Sequence, residues 1–200
     1  MDATAERLTL SLLFGLVPLW LLAGWLDWCC HRWQRIEHSA GVPEALLHLV
    51  MLAQLGLGLM AVLLLQVTSA VLLLLLACLV AHELTMWADL AWAESRREIP
   101  VPEQWVHGLQ SVLPWAGGVA VALLHPQAAL ALLGMGEATA DWGWRWREPP
   151  LDVRYVVGVA ATGALGVVLP FLMELRRALR VQRRLSSHSP AAARPRPKPP

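Results

Sequence analysis

The sequence predicts an all-α integral membrane protein with five transmembrane helices, the first four forming a bundle around an interior polar site near the cytoplasmic face. Three observations predict it. Hydrophobic residues make up 56% of the chain and charged residues only 16%. The mean hydropathy is +0.49. The apolar residues gather in five runs, each near the ~20 residues that a bilayer-crossing helix needs. A water-soluble domain of this length carries more charge and shorter apolar runs.

The first run covers residues 8–28. It is too long for a cleaved signal peptide, and Asp2, Glu6 and Arg7 do not make a positively charged leader. The second run covers 45–66, and residues 67–69 form a short turn into the third, 70–92. The fourth covers 106–124 and the fifth 153–175. Pro43 and Pro102 precede the second and fourth runs, where proline suits a first helical turn. Pro114 and Pro170 fall inside runs, and membrane helices tolerate such kinks. Between the last two runs, Ala128–Leu133 is too short to span and is expected to lie in the interface. Residues 1–176 thus read as one transmembrane domain. Residues 177–200 read as a basic, Pro/Ala-rich, disordered tail with affinity for anionic headgroups.

Arginine placement sets the orientation. Arg32, Arg35, Arg96, Arg97 and the Arg176–Arg184 cluster share one side, whereas Arg7, Arg145, Arg147 and Arg154 fall on the other. The first side is expected to be cytoplasmic, with the N-terminus outside and the C-terminus inside, in the manner of a bacterial inner membrane. Tryptophans gather where runs end, as interfacial belts do: Trp25, Trp28, Trp33, Trp87, Trp92 and Trp105 inside, and Trp142, Trp144 and Trp146 outside. No basic, aromatic-laced soluble surface exists for nucleic acid. Cys29, Cys30 and Cys78 give no disulfide framework and read as small apolar residues.

Chemistry enters with nine residues at the inner ends of the first four runs: Asp27, His31, Glu37, Glu44, His48, His82, Asp89, Glu103 and His107. His38 is a tenth, with the least certain position. Asp27/His31, Glu44/His48 and Glu103/His107 are each four residues apart, so each pair shares a helix face. His82 and Asp89 are seven apart, again one face. Four helices therefore bring carboxylates and imidazoles to one depth. A lone interfacial pair reads most simply as structural, but four pairs crowd like charges together, and divalent cations relieve that crowding. Glu37 is expected as an additional, bridging ligand. Glu83 and Glu174 are expected behind the ligands, and Glu94 and Glu98, flanking Arg96 and Arg97, in a solvated loop.

Such a donor set suits two divalent metal ions, with iron favoured and zinc or manganese as alternatives. The spacing matches neither the Glu-x-x-His motif of soluble dimetal bundles nor the histidine boxes of membrane desaturases. The leading expectation is a dinuclear oxidoreductase acting on a lipid-soluble molecule at the cytoplasmic leaflet, with a cytoplasmic electron donor. The alternatives are a zinc-dependent membrane hydrolase, a haem or ion-binding protein, and a scaffold. An ion pathway would need polar groups through both leaflets, and the outer halves offer only Gln54 and Gln110.

Overall fold

A computed structural model describes residues 3–188. Its helices, in chain order, are α1 (Ala3–Gln34), α2 (Gly41–Leu64), α3 (Ser69–Glu94) and α4 (Val101–Leu124), then a short α5 (Pro126–Leu132) and finally α6 (Val153–Ser187). All but α5 are long and apolar enough to cross a bilayer. At the arginine-rich end of the bundle, every one of the five reaches past its apolar run. Backbone N–H and C=O groups have no water to bond in lipid, so helical pairing continues into the interface even where side chains turn polar. This extension sets His31, Glu44 and Glu103 in helical register.

The last helix extends furthest. Residues 177–188 continue the helix past residue 176. The buried Ala178 alternates with Arg176, Arg177 and Arg180, an amphipathic pattern that a helix can hold at a headgroup boundary. The remainder of the expected tail, residues 189–200, lies outside the described residues.

Two stretches are wound as π-helix, Leu12–Leu16 in α1 and Gly163–Val168 in α6. Each precedes a proline, Pro18 and Pro170. A proline lacks the N–H and crowds the carbonyl four residues back, here Phe14 and Gly166, which opens the turn before it.

At the arginine-rich end the chain turns sharply. Arg35 ends α1 with φ 53°, and Gly41 opens α2 with φ 67°, which glycine adopts without a Cβ clash. At the opposite end the long loop is bonded across the α2–α3 turn. Gln66 N–H donates to the Arg145 carbonyl at 2.9 Å, Arg147 N–H to Leu64 at 2.9 Å and Ala70 N–H to Asp141 at 3.1 Å. Thr68 caps α3 and also donates its hydroxyl to the Gly143 carbonyl at 3.1 Å.

The helices α2 and α3 pack along their length, α1 packs on α4, and α6 lies against α2 and α1. Small residues allow the close approaches. A Cβ at Gly58 would stand 3.2 Å from Leu75 Cδ1 and 3.4 Å from Cys78 Cβ. Cys78 is accordingly buried as packing, and all three cysteines are free. The outward faces expose Leu57, Leu76, Val112 and Leu123, as a lipid-facing surface does. Trp33, Trp87 and Trp105 at one end and Trp142, Trp144 and Trp146 at the other are also exposed, which suits interfacial belts.

Candidate metal centre

The bundle core turns polar at the arginine-rich end. Asp27, His31, Glu44, His48, Asp89, Glu103, His107 and Glu174 are all buried there. On α1, α2 and α4 the i,i+4 spacing stacks each acid under its histidine, and the three helices point these faces at one another.

His31 is the hub. Its Nε2 lies 3.6 Å from Asp27 Oδ1, 3.7 Å from Glu44 Oε1 and 3.3 Å from Glu103 Oε1. Asp27 Oδ1 lies 3.1 Å from His107 Nε2, and Asp27 Oδ2 lies 3.4 Å from His48 Nε2. Two groups emerge that could each hold an ion: Asp27, His31, His48 and His107, and then His31, Glu44 and Glu103. Donors ~2.1 Å from one ion stand roughly 3.0–3.5 Å apart in tetrahedral or octahedral geometry, and these separations cluster near that range. Asp27 Oδ1, His31 Nε2 and His107 Nε2 are buried without any hydrogen-bond partner. A fold leaves such atoms orphaned rarely, and here they converge.

The groups behind the donors fix which atom each presents. His48 Nδ1 donates to the Glu44 carbonyl at 2.9 Å, which leaves its Nε2 for the centre. His31 Nδ1 faces Glu174 Oε1 at 3.3 Å, with the same effect on its Nε2. Gln110 Nε2 donates to Asp27 Oδ2 at 3.4 Å. Partners of this kind hold ring orientation and tautomer at metal sites. Phe171 stacks on the His48 ring, centroids 5.1 Å apart and planes 10° apart. Thus α6 adds Glu174 and Phe171 to a site that four helices build.

The second group already contains a cation. The Arg97 guanidinium reaches Glu44 Oε1 and Glu103 Oε1, both at 2.5 Å, and Gln34 Oε1 at 2.7 Å. Gln34 in turn donates to Glu103. The Arg97 side chain is only 6% exposed. Burial opposes its charge, yet the hydrogen bonds and attraction of Glu103 and Glu44 outweigh this and hold the group above its ordinary value. Arg97 thus turns inward from the loop expected to hold Glu94 and Glu98 in solvent. Its neighbours Glu94 and Glu98 are exposed.

Three expected ligands, Glu37, His82 and Asp89, stand outside both groups. Glu37 follows the left-handed Arg35, which turns the chain out of the α1 register, and its Oε1 lies 3.7 Å from Arg32 Nη1 instead. His82 shares a face with Asp89 but sits two turns deeper, about 10 Å along α3, and so misses the cluster. Asp89 reaches the edge of the cluster, 3.7 Å from His48 Nδ1. Glu83 lies elsewhere, accepting from Ser111 and from Trp115 Nε1 at 3.3 Å. His38 is exposed.

Gln34, Gln110 and Phe171 escaped the sequence reading of the site. Gln34 is three residues from His31, Gln110 three from His107, and Phe171 three from Glu174, so helical spacing from a known member would have found each. No protein-family model, curated protein or solved structure matches this chain.

Proposed function

We propose that this chain is a membrane oxidoreductase holding two divalent metal ions, iron by preference, that acts on a lipid-soluble molecule from the cytoplasmic leaflet and draws electrons from a cytoplasmic donor. The observation that carries this reading is the convergence of three orphaned buried donors, Asp27 Oδ1, His31 Nε2 and His107 Nε2. Charge supports a count of two. With the imidazoles neutral, as metal ligation requires, five fully buried carboxylates among the described residues meet one buried guanidinium, a formal charge of −4 that two divalent ions would cancel. Burying uncompensated charge is costly enough that a fold supplies counterions. Mixed imidazole and carboxylate donors suit iron. An iron pair, when bound, would supply the redox chemistry, with dioxygen as the oxidant that accepts electrons from both the lipid-soluble molecule and the donor.

The residues of the chain do the rest. His31, His48 and Asp27 present fixed donor atoms because Glu174, the Glu44 carbonyl and Gln110 engage their other atoms. Phe171 excludes water from one side of His48. Arg97 spans Glu44 and Glu103 and offsets one of their two charges.

A specific observation favours a second reading. Arg97 spans Glu44 and Glu103, and leaves three histidines and Asp27 for a single ion. That donor set suits zinc and hydrolysis of an acyl group. Elemental analysis of purified full-length protein separates the two. Two irons per chain are expected, one zinc would establish the second reading, and a metal-free protein that takes up neither would overturn both.

A further inference from the structure

Beside the cluster lies a cavity of about 340 Å³, within the range of small-molecule sites. Its polar lining is His48, His82 and Gln110; His48 and Gln110 stand at the cluster end, and His82 lies deeper along α3. The rest of its wall is apolar and runs along α2 as far as Met60. From His48 to Met60 is about 18 Å of helix. Dividing the volume of 340 Å³ by that length leaves a mean cross-section of roughly 19 Å², on the scale of one extended hydrocarbon chain.

Two residues tie this cavity to the cluster. His48 belongs to both, and Gln110 lines the cavity while donating to Asp27. His82, which the ligand groups leave out, is buried and makes no hydrogen bond or ion pair among the described residues. The cavity supplies it with space to face. Its wall also includes the π-helical turn of α6, at Gly163 and Ala164, and such turns recur at functional sites. Flexible methionines, Met51 and Met86, line it as adaptable surface.

Resting on the metal reading above, we propose that this cavity binds a single linear acyl chain, with its oxygenated end against His82 and Gln110 and its tail towards Met60. The direction agrees with how a lipid lies in a leaflet, since the polar end meets the arginine-rich end of the bundle and the tail points to the bilayer middle. The His82 ring can donate to a carboxyl, hydroxyl or carbonyl oxygen, and the Gln110 carbonyl can accept from a carboxyl or hydroxyl O–H. The oxygenated end and the first carbons thereby lie nearest His48 and the metal donors.

The test is photo-crosslinking of the purified full-length protein in detergent micelles, with palmitic acid or a phosphatidylcholine carrying a mid-chain diazirine. Adducts are expected on residues 51–60 and 159–168, and excess unlabelled palmitate should reduce them at least tenfold. Gly56→Phe should block the adducts as strongly, and it should fold, because an added Cβ there meets nothing within 4 Å. Val112→Phe, on the exposed face, should change nothing. Whichever probe gives more adduct identifies the chain as free or esterified. Adducts scattered over outward faces, without competition, or full labelling of Gly56→Phe would overturn the inference. Metal content, measured on the same samples, keeps the readings apart. Metal-free protein with competed labelling sinks only the metal reading, and metal-loaded protein without it sinks only the acyl pocket.

Discussion

Glu174 shows how one side chain acts through another. Its carboxylate faces His31 Nδ1, and His31 Nε2 faces Asp27, Glu44 and Glu103. A charged partner behind an imidazole raises its basicity and pins its ring. Glu174→Gln keeps the shape and loses the charge. It is expected to weaken metal affinity by about 10–100-fold, measured by competition with a chelator of known strength. Unchanged affinity would mean that Glu174 serves packing alone. Phe171 works by contact rather than charge, since its ring lies flat against His48 and confines it to one rotamer.

At the scale of elements, helical periodicity carries the legible part of the site. Asp27/His31, Glu44/His48 and Glu103/His107 could be paired from the sequence because an acid four residues before a histidine shares its face wherever the helix begins. What spacing does not fix is depth along the axis or the path of a loop. His82 and Asp89 share a face, but the rise between them carries His82 out of the cluster and into the cavity. Glu37 follows a residue with φ 53°, a conformation the pattern does not signal at an arginine. Arg97 lies in a loop whose geometry only the packed helices determine, so its burial between Glu44 and Glu103 left no periodic trace. The five spans were legible because lipid demands long apolar runs. Their extensions at the polar end were not, because they rest on backbone bonding rather than hydropathy.

The loop at the opposite end makes its own prediction. His125 follows α4, and burial, reinforced by nearby Arg147, holds its pKa below the ordinary value. The folded state thus favours the neutral ring. Its contribution is complete above about pH 6.5, the unfolded value, and fades as pH falls from there through the lower folded value. Amide exchange in residues 125–147 should accelerate as pH falls below about 6, after correction for intrinsic rates, and His125→Gln should remove that dependence. A variant with the same pH response as the natural chain would refute the assignment.

For the molecule as a whole, the cluster of buried carboxylates is the main polar load on the bundle. Hydrophobic contact between helices counts for little in lipid, so packing and polar pairing decide whether the bundle holds. Arg97→Ala would leave Glu44 and Glu103 without their buried partner. In the presence of a chelator it should destabilise the protein by about 3–5 kcal/mol, read as a lowered Tm in detergent. Added divalent metal should return much of that loss, because an ion bound only by the folded state stabilises it by mass action. A chelated variant melting with the natural chain would show that the acids hold protons instead.

Residues 141–147 are fastened across the hairpin between α2 and α3 by main-chain bonds. That fastening shuts one mouth of the bundle. Anything handled in the interior must therefore arrive and depart by the same doorway or sideways from the surrounding oil. A bundle covered at that end would sit inside the bilayer without becoming a leak, and the gradients held across the bilayer would survive.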